Sequence, residues 1–150
     1  MNERVEAPWH LWVVGVLGLI FTLYGGYDYT MSQMGDREYI AAAVAPMGID
    51  VDTAVEYFSS FPLWVDAVWA IGVWSAVAGA VLLLLKNRLA VHAFALSLVG
   101  LVLSNAYSLS HPVPGLTDTT MTYVATAIIT VIMVLLTWYA ARMARRGVLR

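Results

Sequence analysis

Read for hydrophobic and polar positions alone, the chain divides into four long apolar runs separated by short polar breaks and one longer mixed segment. The runs cover approximately residues 9–34, 62–85, 89–108 and 119–141. A bilayer's hydrocarbon core is crossed by about 20 helical residues at about 1.5 Å each, so every run is long enough to span it. Pro8 and two tryptophans open the first, and Gly25-Gly26-Tyr27-Asp28-Tyr29-Thr30 makes its end polar. Lys86-Asn87-Arg88 stops the second, and His111-Pro112-Val113-Pro114-Gly115 stops the third because two prolines and a glycine do not continue a helix. Arg142 to Arg146 closes the fourth. The expected fold is an all-α membrane protein, one four-helix transmembrane domain over residues 1–150.

Residues 35–61 are too polar to cross a membrane and too apolar for a free linker. Asp36 is placed to cap a short helix with Ile40, Val44 and Met47 on one face, ended by Pro46 and Gly48. Thr53-Ala54-Val55-Glu56 fits a capping box for a second helix whose apolar edge is Tyr57, Phe58 and Phe61. A short amphipathic helical segment between the first two spans is therefore expected, lying on the outer surface as a connector or as a lid.

Charge supplies the orientation. With both termini and the 86–88 turn on one side, that side holds seven basic residues (Arg4, Lys86, Arg88, Arg142, Arg145, Arg146, Arg150) against Glu3 and Glu6, a net +5. The other side has Arg37 alone against eight acids, a net −7, and the two recover the chain's −2. Lys and Arg in short loops stay cytoplasmic, so both termini are expected in the cytoplasm of a bacterium with the protein in its inner membrane. Arg4 among Glu3 and Glu6 does not make the positive patch of a signal peptide, and that helix is expected to remain in the mature chain.

Composition narrows the function classes. At 61% apolar and 12% charged, the chain cannot cover a water-facing surface, and it has no room for a separate catalytic domain. The absence of cysteine excludes disulfides, thiolate metal sites and thiol redox chemistry. There is no phosphate loop, Ser-His-Asp order or nucleic-acid patch. His10 and His92 fall at inner helix ends where a haem could be held, but lone interfacial histidines are ordinarily solvated. His111 with Met31 or Met34 is too thin a donor set for copper or zinc. No enzyme activity, cofactor, metal or nucleic-acid partner is expected.

Within a bilayer, small and weakly polar faces show where helices meet, because lipid is as apolar as a leucine. Gly15, Gly18, Thr22 and Gly25 form such a face on the first run; Gly72, Ala76 and Ala80 on the second; Ser97, Gly100, Ser104, Asn105 and Ser108 on the third. Thr119, Tyr123, Thr126, Thr130 and Thr137 follow on the fourth. These faces are expected to pack helices together, within one chain, in a homo-oligomer or against a larger membrane complex.

The only carboxylates inside the four runs are Asp28 and Asp66. Asp28 lies just within the outer boundary of the first span, and Asp66 about four residues, roughly 6 Å, below the same boundary in the second. Intramembrane ionisable groups are functional candidates, although near an interface a capping role competes. An outer vestibule made by Asp28 and Asp66 with Tyr24, Asn105 and His111, and with Arg37 as its counter-charge, is the expectation if the protein binds a small solute, proton or cation.

The motifs Pro8-Trp9-His10-Leu11-Trp12, Tyr27-Asp28-Tyr29-Thr30-Met31 with Gln33, Phe61-Pro62-Leu63-Trp64, Ala70-Ile71-Gly72-Val73-Trp74, Leu82 to Leu85 before a basic turn, and Ala95-Leu96-Ser97-Leu98 extend over nearly the whole chain. The chain thereby resembles a group of small, uncharacterised four-helix bacterial inner-membrane proteins, some catalogued as sugar transporters without established chemistry. Members often have Asn at the position of Thr22 and Pro at that of His92, which weighs against haem at His92. Two functions follow: a non-enzymatic protein packing as an oligomer or accessory subunit, or a minimal transporter or channel-like protein. Nothing charged lies near the midplane, unlike in small multidrug transporters, and this favours the first. Reporter fusions after Arg88 and at the C-terminus should read cytoplasm and a fusion at Gly48 periplasm; a periplasmic C-terminus would contradict the charge argument.

Overall fold

The computed structural model describes residues 6–150, so Glu3 and Arg4 of the charge argument lie outside the described residues. Six α-helices and one 3-10 turn account for the regular structure there: α1 (Trp9–Gln33), α2 (Arg37–Val44), the turn Ala45–Met47, α3 (Val51–Ser59), α4 (Leu63–Leu84), α5 (Leu89–Ser110) and α6 (Thr120–Arg145). α1, α4, α5 and α6 are each long and apolar enough to cross a membrane. α5 and α6 outrun the expected ends at 108 and 141. α6 continues through Arg142 and Arg145, cations that suit the negative end of the helix dipole.

The long helices run up and down, so the α4–α5 turn lies beside the two chain ends, and α2 and α3 lie at the opposite, lid end. The Arg150 backbone N–H donates to Lys86 O at 2.8 Å, and the Arg88 N–H donates to Arg150 O at 2.9 Å, tying the last residue to the α4–α5 turn. Val148 and Leu149 are buried there with Leu11, Leu83, Met143 and Phe94. Trp9, Trp12 and Trp138 stand exposed around this end, with Lys86 over the Trp12 ring and Arg142 over that of Trp138.

Most of the expected small faces do pack, each against a different partner. A Cβ added to Gly72 would lie 3.2 Å from Gly100 Cα, and one added to Gly100 would lie 2.5 Å from Gly72 Cα and 2.9 Å from the Val68 carbonyl oxygen. The α4 and α5 backbones therefore touch at this pair. Ala76, Ala80 and Ser97 are buried near the same seam. Toward the terminal end, the Phe94 ring covers Gly79, Leu84 fills the space over Gly15, and Leu136 of α6 lies against Gly18.

Gly25 is the exception. A Cβ there would meet nothing within 4 Å, and the residue that packs on α4 is its neighbour Gly26, against Trp74. Ser104 likewise spends its hydroxyl on the Gly100 carbonyl of its own helix, 2.7 Å away, and lines open space beside Gly25.

In the lid, Asp36 caps α2 as expected, its Oδ1 accepting the Tyr39 N–H at 2.9 Å, and Gly48 ends the following turn at φ +67°. The capping box expected at Thr53 does not form. Asp50 caps α3 instead, accepting the Thr53 N–H at 3.2 Å, because its short carboxylate reaches the third amide and the helix begins one residue later at Val51. Ile40, Val44, Ile49 and Ala54 make a small core of the lid's own.

The glycine contacts give a direct test. Gly100→Ala forces the α4 and α5 backbones apart and should cost about 1–3 kcal/mol in unfolding from mixed micelles. Gly25→Ala meets open space and should be neutral or stabilising by about 0.5–1 kcal/mol through lost backbone entropy. Equal losses at both positions would mean the seam is not where the structure puts it.

Candidate functional site

α1 and α6 meet only toward the terminal end. There Leu136 lies on Gly18, and His10 Nδ1 shares a hydrogen bond with the Tyr139 hydroxyl. Over the lid half, a cavity of about 370 Å³ occupies the space between α1, α4, α5 and α6. Its floor is Ala76, Ser97 and Met133; its walls include Thr22, Gly25, Val65, Gly72, Leu101 and Ile129; Phe58 and Phe61 of the lid close its top. The lining is mainly apolar. Tyr24 lines the cavity while 66% exposed and Ile129 while 38% exposed, so the chamber is open sideways between α1 and α6.

A second chamber of about 360 Å³ lies above it, beneath α2, α3 and the α5–α6 loop, where Ile40, Val44, Val113 and Leu116 form its apolar walls. Asp28, Phe58, Trp69, Asn105 and Ser108 line both chambers and mark their junction. Asp28 and Asn105 come from α1 and α5, one on either side of α4.

The junction's polar groups are held by named partners. The Tyr39 hydroxyl of α2 donates to Asp28 Oδ1 at 2.6 Å, which fastens the lid to the first long helix. Burial, and secondarily that bond to a carboxylate, push the Tyr39 phenol well above its usual range. Asn105 donates to the Leu101 carbonyl at 2.8 Å and accepts from the Thr126 hydroxyl of α6 at 3.3 Å, a polar link between α5 and α6. On the far side of the lid, the Tyr57 hydroxyl donates to the His111 carbonyl at 2.7 Å. Burial is also the main reason the Tyr57 phenol is raised. Phe58 stacks on Trp69 with ring centroids 6.2 Å apart, and Tyr29 meets the Trp69 edge at 5.0 Å.

Of the six residues expected around one vestibule, Asp28, Tyr24 and Asn105 are brought together and three are not. Asp66 lines neither chamber; it accepts from Gln33 Nε2 at 3.0 Å on the bundle's outside. Arg37 is not the counter-charge of either intrahelical carboxylate but pairs with Asp52 on the lid's exposed face, bridging α2 to α3 at 2.5 Å. His111 stacks its ring on Tyr107 at 4.4 Å, exposed, and contributes only its carbonyl to the lid contact. His10 and His92 are likewise apart, the first bonded to Tyr139 and the second exposed. Ser108 and Phe58 were legible only as members of a small polar helix face and of the lid's apolar edge, and Trp69 carried no spacing signal, so none of the three was expected at the site.

The chain matches no protein-family model, no curated protein and no solved structure. The cavity's geometry is thus the basis for a functional reading.

The lid contact can be tested separately from any ligand. Tyr39→Phe removes only the hydroxyl that Asp28 accepts, and should speed hydrogen exchange of the α2 amides; Arg37→Ala, at an exposed pair worth about 0–1 kcal/mol, should not. A phenol raised on folding stabilises the lid fully below its ordinary pKa of 10.0 and loses that contribution as pH climbs through the raised value. Protection of α2 in the wild type should therefore hold up to about pH 10 and decline above it. A Tyr39→Phe lid as well protected as the wild type would remove the latch.

Proposed function

We propose that this chain is a non-enzymatic multi-pass protein of the bacterial inner membrane that holds a small solute in a lidded chamber, as a minimal transporter or membrane binding protein. Both termini face the cytoplasm in this reading, and α2 and α3 lie on the outer side. The observation that carries it is the cavity at the lid end, with one carboxylate at its throat and a helical lid bonded to that carboxylate. Its volume falls within the range of small-molecule sites, about 300–1,000 Å³, and its mainly apolar lining with a few polar groups is the usual composition of such sites.

Packing as an oligomer or accessory subunit draws less support. Gly15, Gly18, Gly72, Gly100 and Ala80, small residues that an interface between chains would use, are all occupied within the chain. Asp66 is no part of the proposed chamber, so the solute reading rests on Asp28 alone among the carboxylates. The resemblance to proteins catalogued as sugar transporters also finds little support in the lining: a sugar needs many hydrogen-bond partners, and this chamber offers few.

Native mass spectrometry of protein released from its own membrane tests this reading. A Cβ at Gly25 meets nothing within 4 Å and the residue lines the chamber, so the ring of Gly25→Phe should occupy chamber volume while leaving the fold intact. The wild type should carry a small-molecule mass that Gly25→Phe lacks. Two proteins of identical bare mass, both associating into the same oligomer, would favour the packing role instead.

A further inference from the structure

Among the described residues, Asp28 is the only carboxylate lining either chamber, and no Lys, Arg or His lines them. The one ion pair among the described residues joins Arg37 to Asp52 on the lid's outside. The remaining described cations lie at the terminal end of the bundle or in the loops there. Asp28 thus faces a mainly apolar, half-enclosed space with one phenol bonded to it and no positive partner. An ionised carboxylate in such surroundings gains most from a ligand that brings the missing charge.

The shape of the space narrows what that ligand is. A bare metal cation needs about six oxygen donors for Ca²⁺ or Mg²⁺, and no group of three metal-binding side chains occurs among the described residues. A proton needs no chamber of about 370 Å³. A hydrophilic cation such as a polyamine would leave its several N–H groups facing Val65, Leu101 and Met133.

Aromatic faces, by contrast, are abundant at the junction: Phe58 and Trp69 line both chambers, Tyr24 the inner one and Tyr39 the outer. Aromatic rings with a carboxylate recognise ammonium groups carrying apolar substituents, by cation–π attraction together with charge pairing. The sideways opening between Tyr24 and Ile129 admits a molecule that partitions into the bilayer.

We propose that the chamber binds a hydrophobic organic cation, an amine or quaternary ammonium with apolar substituents, whose charged centre sits at the Asp28 junction beside the stacked Phe58 and Trp69 rings and whose apolar part fills the inner chamber. This rests on the lidded-chamber reading above and names its ligand class.

Phenyltrimethylammonium and its neutral isostere tert-butylbenzene separate charge recognition from the filling of apolar space. Each is titrated calorimetrically into the full chain in lipid nanodiscs, with empty nanodiscs as the baseline. The cation should bind roughly tenfold or more tightly than the isostere. Asp28→Asn keeps an oxygen for the Tyr39 hydroxyl and should bring that ratio close to one, with the affinity for tert-butylbenzene unchanged. Trp69→Leu, which leaves the carboxylate in place, should lower the ratio by a smaller factor; Asp66→Asn should leave it unchanged. Equal affinity of the two probes in the wild type, or a preference that survives Asp28→Asn, overturns the organic-cation assignment and leaves the lidded chamber standing. Binding of neither probe overturns both.

Discussion

The contact of the α4 and α5 backbones at Gly72 and Gly100 is the constraint on which the rest of the bundle depends. Between helices in lipid there is no hydrophobic gain, so close van der Waals packing has to hold them together, and glycine permits the closest approach. With α4 and α5 drawn together there, α1 is fitted against α4 through Gly15 and Gly26, and α6 against α5. The two outer helices then close on each other only where Leu136 reaches Gly18 and His10 reaches Tyr139. Toward the lid no comparable pair joins them, and the unfilled volume is the chamber.

The lid follows from the same geometry. An open end of a helical bundle exposes ring faces and polar backbone, and here it is covered by two short helices with a small core of their own. They are fastened at two points, Tyr39 to Asp28 and Tyr57 to the His111 carbonyl. One fastening lands on Asp28, the chamber's one carboxylate among the described residues, so occupancy of the site and position of the lid share a residue. A ligand that engages Asp28 competes with or reinforces the Tyr39 hydroxyl, which couples binding to closure without any longer-range mechanism.

Much of the fold was legible because it depends on local signals. The four runs, their stops at Lys86 to Arg88 and at Pro112 to Gly115, and the Asp36 cap each rest on a few adjacent residues. The site was only half legible. Counting from the ends gives depth, and it placed Asp28 and Asp66 at similar levels, but a shared pocket also requires a shared face. At about 100° per residue, Asp66 stands six residues before Gly72 and hence about 120° from the face that meets α5. That rotation turns Asp66 away from α5, and it is Gln33, five residues and about 140° past Asp28 on α1, that receives it, so the two carboxylates do not share a face. The distinction between Gly25 and Gly26 was not available, because which of two adjacent glycines touches a neighbour depends on the side from which α4 approaches. Phe58 and Trp69 were similarly hidden, since their convergence depends on how the lid folds back over the bundle.

The central claim is that the lid half of the bundle contains an accessible chamber bounded by α1, and adjacent positions on α1 test it most directly. The chain has no cysteine, so a single introduced thiol reports one position. In nanodiscs, Gly25→Cys should react readily with a small membrane-permeant maleimide, and Gly26→Cys, packed against Trp74, should react far more slowly. Equal reactivity at the two sites, or a faster reaction at 26, would contradict the account.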